Sequence, residues 1–527
     1  MLKNKNLFIV ITFTLYFAIG SYLSITNGIS HDQYHEQLNW IINFDAIKSL
    51  FDGENGYEKL LNYTDKYHGI AFHYFSQPIQ LLTNDLIGKI NNVNNEYAHY
   101  ISRHLAVFIS FNIGGIFFYL LSVKLTDNKN FALITTATFL LYPYLFGHAQ
   151  INGKDIPFLS LWLICTYYLF LIVEDLFNGK KNSFKNIILI SLFTAFLVSI
   201  RITGILVLFE YLIAIIILVN IKKIDALKFI FENIFHFIIF ILSLVFFIYI
   251  LNPILWLDIR EFFNAINWMG KYYHDICTLT LGECMSALNL SPTYFFIWLF
   301  FKLPILVLAG LFMYPLIEKK IFNKGIVTIY YGTLGLTLIF ILFIFIFKNV
   351  ALYDEIRHIM FLIPLIFIIS FYNIFIFSRK VFYSLSILLL FFFIFENISL
   401  KKYQYTWLNS FAKFTQIEKN FETDYLGISN KNLQKEIINY SKKHSLNKDI
   451  CVYGDIYNGA YLEKFNFLCF KSYSELDAAK LRPFFAYQNV RNLKRSNPKD
   501  CKLIFDESYN YTFSKQKVSV GKLWYCD

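Results

Sequence analysis

The chain has 527 residues, 56% of them hydrophobic and 16% charged, with a mean hydropathy of +0.46 and a formal net charge of +11. Soluble domains carry about 25% charged residues, so an ordinary soluble enzyme is excluded. Twenty-two Gly, ten Pro and 20% aromatic residues also exclude a disordered or fibrous chain.

A membrane-spanning helix needs about 20 mostly apolar residues. Eleven candidate segments follow in chain order: 7–24, 100–123, 131–147, 157–173, 186–200, 203–220, 228–251, 293–316, 327–347, 357–377 and 380–397. The first has no small-residue cleavage site after it and reads as an anchor. The fifth and sixth are short and meet at Arg201, so one long or kinked helix is the alternative there. With the N-terminus inside, the inside loops hold 15 Lys and Arg and the short outside loops hold six. That asymmetry predicts eleven spans with the C-terminus outside. Three stretches then face outward: 25–99, 253–292 and everything after 398.

Six of the seven cysteines (Cys277, Cys284, Cys451, Cys469, Cys501 and Cys526) fall in those outward stretches. Disulfides belong to oxidising compartments. Cys277 and Cys284 are spaced to clip one loop, and the last four allow three pairings. After residue 398 the apolar runs shorten. Strand-like runs at 450–453, 466–470 and 502–505 alternate with helical patterns near 429–444 and 474–481, which predicts a small α/β domain over 399–527. Residues 401–527 hold 21 Lys and Arg against 13 Asp and Glu. A lysine-rich solvated face and a face for anionic lipid or polymer both fit that excess.

Ionisable groups near a membrane are costly, so clusters of them at helix ends point to function. Four clusters fall on the predicted outer side. The first is Ser30-His31-Asp32-Gln33-Tyr34-His35-Glu36, where Asp32, His35 and Glu36 share one face if the stretch is helical. The second is Gly147-His148-Ala149-Gln150-Ile151-Asn152-Gly153-Lys154-Asp155, more polar than a helix reversal requires. There Lys154 suits a phosphate and Asp155 suits a metal. The third is Tyr353-Asp354-Glu355-Ile356-Arg357-His358, with Asp354 at i−3 to neutralise Arg357. The fourth is Arg103-His104 together with Arg201, where Arg103 is expected to snorkel to the interface. His236 reads as a packing residue. No Walker loop, dinucleotide fingerprint, His-Glu-x-x-His or Gly-x-Ser-x-Gly is present.

Taken together, these clusters resemble the membrane glycosyltransferases that use polyprenyl-phosphate carriers, the GT-C superfamily, on its protein O-mannosyltransferase and aminoarabinose transferase branch. The resemblance covers about residues 1–398. Its most specific parts are the acidic loop at Asp32, the run Phe146 to Phe158 and the motif Tyr353 to His358, while Ser291-Pro292-Thr293-Tyr294 with Lys302-Leu303-Pro304 resembles the family's loop-to-helix entry before its eighth span. In that family the first outer loop typically carries Asp-Glu; here Asp32 is followed by Gln33.

The resemblance implies a polytopic α-helical fold with a small C-terminal soluble domain. It also implies transfer of a sugar, with inversion, from a polyprenyl-phosphate donor to an acceptor at the outer face. Asp32 is then the general base. Lys154, Arg103, Arg201 and Arg357 bind the donor phosphate. Asp155 and His148 hold a divalent cation such as Mg, Mn or Zn. His35, Glu36, Tyr353, Asp354 and His358 position substrate. Tyr34, Trp40, Tyr67 and Tyr74 offer rings to a sugar. The expected partners are the lipid donor, the bilayer and an acceptor that is protein, lipid or polysaccharide, with no nucleic acid. The expected location is a bacterial inner membrane with the site outside. A lipid-linked glycan polymerase or ligase is the alternative, and a polytopic transporter a more distant one, since transporters place their ionisable groups at the midplane.

Overall fold

The structure is a computed structural model. It describes the whole chain except residues 1, 54, 181–182, 270–274, 323–324, 349, 447–449, 455–459, 463–469, 473–475, 477–482, 490–496, 513 and 515. Twenty α-helices and seven strands are formed among the described residues.

α1 (Leu2–Thr26) is the first long apolar helix. The stretch expected as an outer loop after it folds into three helices, α2 (Asp32–Asp52), α3 (Gly56–Asn62) and α4 (Ala71–Asn91). α2 starts on Asp32, an acidic residue where the helix dipole favours one. α5 (Asn95–Thr126) is capped by Asn94, whose side chain accepts from the Tyr97 amide at 3.1 Å. The third candidate span is broken. α6 (Lys129–Leu141) ends before Pro143, and α7 (Pro143–His148) continues as a short helix. A proline lacks the amide that would carry a helix through this point.

α8 (Asp155–Phe177), α9 (Phe184–Ile200), α10 (Val207–Lys222) and α11 (Ala226–Leu251) follow. Arg201 sits between α9 and α10 in an extended conformation (φ −143°, ψ 131°). The fifth and sixth segments are therefore two helices rather than one. α12 (Glu261–Met269) precedes an antiparallel hairpin of β1 (Cys277–Thr280) and β2 (Glu283–Ser286), which the Cys277–Cys284 disulfide closes. The expected span 293–316 is two helices, α13 (Thr293–Lys302) and α14 (Ile305–Phe312), bent by 118° at Leu303-Pro304. α15 (Tyr314–Ile321), α16 (Ile326–Phe347), α17 (Ile363–Phe377) and α18 (Arg379–Leu400) complete the helical part.

Among the described residues, eight helices are long and apolar enough to cross a membrane, or nine if the bent pair counts as one span. α6 and α9 are apolar but shorter. The chain is thus a polytopic helical membrane protein, and a count of eleven is not established. Exposed apolar side chains such as Phe231, Phe246, Leu388 and Phe391 line the outer faces of α11 and α18, as a lipid solvent requires.

The remaining chain holds α19 (Ile417–Asn420), α20 (Asn430–Lys443) and a five-stranded mixed sheet. Its strands are β3 (Cys451–Gly454), β4 (Phe470–Ser472), β5 (Phe484–Asn489), β6 (Lys502–Asn510) and β7 (Lys517–Cys526), in the order β4-β3-β5-β7-β6. β3 pairs in parallel with β4 and β5, while β7 is antiparallel to β5 and β6. The runs near 450 and 502 are strands as expected. Residues 466–469 and most of 474–481 lie outside the described residues. Cys501 pairs with Cys526, Cys451 is disulfide-bonded, and Cys469 lies outside the described residues.

The composition break at 398 is not a packing break. Tyr403, Tyr405, Trp407, Phe421, Tyr425 and Val518 belong to the same buried apolar cluster as the helices. Gly147 shows how close the approach is. A Cβ there would lie 2.1 Å from the Tyr405 amide nitrogen, so only glycine lets α7 pack on this segment.

Candidate functional site

The polar clusters that the sequence separates by up to 325 residues meet at one place. Arg357 Nη1 donates to Asp32 Oδ2 at 2.5 Å, and Arg357 Nη2 lies 3.1 Å from Asp354 Oδ2. The Tyr353 ring lies 5.1 Å from the guanidinium carbon, and its edge meets His358 at 4.6 Å. Lys154 Nζ donates to Glu36 Oε1 and to His68 Nδ1, both at 3.0 Å. Arg201 forms an ion pair with Asp155. The amide of Gln33 donates to the Ile151 carbonyl at 3.0 Å, and Asn27 donates to Gln150 at 3.1 Å. The start of α2 is thereby tied to the α7–α8 loop.

The backbone around Arg357 is strained. Asp354 and Glu355 have φ of +55° and +67°, a region that non-glycine residues rarely adopt. Such residues cost about 1–3 kcal/mol each and persist where the surroundings fix them. Here Glu355 is fully buried against Lys302 at 2.6 Å, its carbonyl accepts from Tyr294 at 2.9 Å, and the Asp354 amide donates to Thr278 at 3.0 Å. Lys302 stands at the end of α13, beside the bend. The bent helix pair and the β1–β2 hairpin therefore set the backbone that aims Arg357.

Burial alone would raise the Asp32 carboxyl, but the Arg357 guanidinium, His31 and Lys154 hold it down at about 2. It is ionised at neutral pH, and its side chain is still 49% exposed. Burial pushes His68 well below the usual imidazole range, and Lys154 and Arg201 add to that, so its ring is neutral and accepts from Lys154.

Arg103 departs from expectation. It does not snorkel to the interface. It is 1% exposed, with its guanidinium bonded to the side chains of Gln33 (3.1 Å) and Gln37. Gln33, which stands where the resemblance leads one to expect a carboxylate, thus orients a buried arginine.

His148 and Asp155 do not form an open metal site. Asn152 donates to Asp155 Oδ2 at 2.8 Å and lies 3.0 Å from His148 Nδ1, while His148 Nε2 lies 2.9 Å from the Tyr425 hydroxyl. Asp155 is further committed to Arg201. Both imidazole nitrogens are engaged, and no group of three His, Cys, Asp or Glu suited to a metal exists among the described residues. This donor set does not fit a bound cation.

Of the proposed rings, Tyr34 is 42% exposed and meets His35 edge-on at 5.7 Å. Trp40 is buried, stacked on His73, with Tyr74 against its edge. Tyr67 donates to Glu261 at 2.6 Å. Tyr34 is the one exposed ring of the four.

Sequence reasoning missed the contribution of the segment 424–431. Asp424 accepts from the Ile428 and Ser429 amides at 2.8 and 2.9 Å and from Tyr405, which closes a tight turn. That turn sets Tyr425 on His148 and lets the His31 amide donate to the Leu426 carbonyl at 3.1 Å. Lys431 reaches back to the carbonyls of Thr26 and Asn27 and to Asn91 Oδ1, at 2.5, 3.2 and 2.8 Å. Its N–H groups satisfy carbonyls that the end of α1 leaves open. A contact between positions 277 residues apart leaves no periodic trace in the sequence.

No protein-family model matches the chain, and no curated protein matches it. Among solved structures, the chain is similar to ArnT from Cupriavidus metallidurans in its crystal structure bound to undecaprenyl phosphate. The TM-score is 0.45, the identity is 10%, and the likeness covers 98% of this chain and 97% of that one.

Proposed function

We propose that the protein transfers a sugar from a polyprenyl-phosphate donor to an acceptor at the outer face of a membrane, with inversion. The observation that carries this reading is the meeting of an ionised, half-exposed carboxylate, Asp32, with Arg357, Lys154 and Arg201 at the ends of apolar helices. A carboxylate beside a cluster of cations suits a reaction that removes a proton at one point and leaves a phosphate at another.

Asp32 takes the proton from the acceptor group. The acceptor atom attacks the anomeric carbon from the face opposite the phosphate. The bond from that carbon to the phosphate oxygen breaks, and its electron pair leaves with the polyprenyl phosphate. Arg357, Lys154 and Arg201 stabilise the developing charge, in the manner of an oxyanion hole. Arg103 supports the site from behind through Gln33 and Gln37. Glu36 and His68 hold Lys154, while Asp354 and Tyr353 hold Arg357. His35 and His358 lie next to these groups as positioning residues. No step is assigned to a metal, because His148 and Asp155 are already committed.

The charge asymmetry of the loops supports an outward-facing site and eleven spans, with α6, α9 and the bent pair included, in a bacterial inner membrane. An apolar hollow beside the bend, lined by Pro304, Leu388, Phe392 and Trp407, offers a surface for the isoprenoid chain. The division at 398 is read as a change of role, with the tail packed as a cap on the site.

The test is a mass-spectrometric comparison of envelope glycans from cells carrying the wild type, Asp32→Asn, Lys154→Ala or no protein. Loss of one glycan modification in all but the wild type is expected. Unchanged glycans in variants that are made and inserted normally would sink the proposal.

A further inference from the structure

Every cation proposed for the donor phosphate, apart from Arg103, already has an acidic partner: Arg357 with Asp32 and Asp354, Lys154 with Glu36, and Arg201 with Asp155. A phosphate therefore enters by exchange rather than by filling a vacant positive pocket. The two partners of Arg357 differ in a way that predicts which one yields.

Asp354 is 5% exposed, precedes Arg357 by three residues on the same short stretch of chain, and is fixed by the Thr278 bond to its amide. Tyr353 packs against the same guanidinium. Asp32 comes from a different element, the first residue of α2, and is 49% exposed. Arg357 itself is 5% exposed. Nη2 is thus the anchored side of the guanidinium and Nη1 the exchangeable side.

We propose that Asp32 occupies the phosphate position on Arg357 Nη1 while the donor is absent, and that a polyprenyl phosphate binds by displacing it. This rests on the reading of Arg357 as a phosphate ligand. The consequence is an ordered reaction. While paired with Arg357, the Asp32 carboxylate is a poor proton acceptor. Once the phosphate takes Nη1, Asp32 loses its cation and gains a nearby anion, and both changes raise its basicity. The base is armed only when the donor is seated, so an acceptor bound alone is not deprotonated. Asp354 and Tyr353 keep Arg357 in place during the exchange.

The test is binding of a polyprenyl monophosphate to the full-length protein in nanodiscs, by competition with a fluorescent analogue. Asp32→Asn removes the competing anion, with little folding risk at a half-exposed position, and binding about three- to tenfold tighter than wild type is expected. Asp354→Asn loosens the anchored side and weakens binding. In an Arg357→Gln background, Asp32→Asn brings no gain, because no guanidinium remains to release.

Wild-type binding with Asp32→Asn equal or weaker overturns the exchange and leaves Arg357 as a phosphate ligand. The same tightening in the Arg357→Gln background also overturns it, since the effect is then simple repulsion between carboxylate and phosphate. No binding to any variant overturns the donor reading and the exchange with it.

Discussion

The buried Lys302–Glu355 pair gives the sharpest energetic prediction. The two charges lie 2.6 Å apart and both side chains are fully buried. At an effective dielectric of about 20 their attraction is about 6 kcal/mol, and most of it offsets the cost of removing both from water. Removing one partner leaves that cost standing, which for buried pairs is about 3–5 kcal/mol. Lys302→Met is therefore expected to destabilise by about 3 kcal/mol, the lower end, because burial pushes the Glu355 carboxyl up and protonation relieves part of the charge. Lys302→Met with Glu355→Gln removes both charges and keeps an acceptor for the Tyr425 hydroxyl, which lies 3.4 Å from Glu355 Oε2. The double variant should regain at least half of the loss. The assay is denaturant unfolding in mixed micelles, followed by tryptophan fluorescence, for wild type, both single variants and the double. A Lys302→Met variant within about 1 kcal/mol of wild type, or a double variant whose loss equals the sum of the singles, refutes the reasoning, since coupled neighbours are non-additive.

Three further outcomes follow from the same geometry. Asp32 has a folded pKa of about 2, below the ordinary carboxylate value of 3.8. The stability that its Arg357 pair contributes is thus present above about pH 4 and is lost as pH falls through about 2; the stability gap between wild type and Asp32→Asn should close over that window, and a gap independent of pH would argue against the pair. Burial brings the Lys431 ammonium down to about 6, so above that pH the unfolded chain holds a proton that the folded chain gives up. Stability should then rise from about pH 6 toward the ordinary lysine value, with a slope that Lys431→Met abolishes in denaturant titrations at several pH values. Tyr425→Phe leaves His148 Nε2 without its 2.9 Å partner; a loss of about 1–3 kcal/mol is expected, with His148→Phe in the same background adding little, and additive losses would show that the two side chains are not coupled.

The membrane character of the chain was legible in the sequence because apolar length is a local property. About 20 apolar residues in a row specify a spanning helix whatever surrounds them. The 131–147 and 293–316 runs are the ones where the structure differs, and the reason is again local chemistry: prolines at 143 and 304 interrupt the amide ladder. Polar motifs at helix ends were equally legible, because ionisable residues stand out against such a background. Asp32, Lys154, Asp155, Arg201 and Arg357 were all found that way.

Only the tertiary structure decided how these residues are paired. The sequence offered Asp354 as a neighbour of Arg357 at helical spacing, and the structure added Asp32 from 325 positions away. Arg103 was assigned to an interface and proved to be buried on two glutamines, a fate set by α2 packing across α5. The segment 424–431 became part of the site although its composition marks it as soluble tail. Local sequence determines which residues are costly to bury. Which partner offsets that cost depends on how elements far apart in the chain are packed, and no periodicity or spacing encodes that choice.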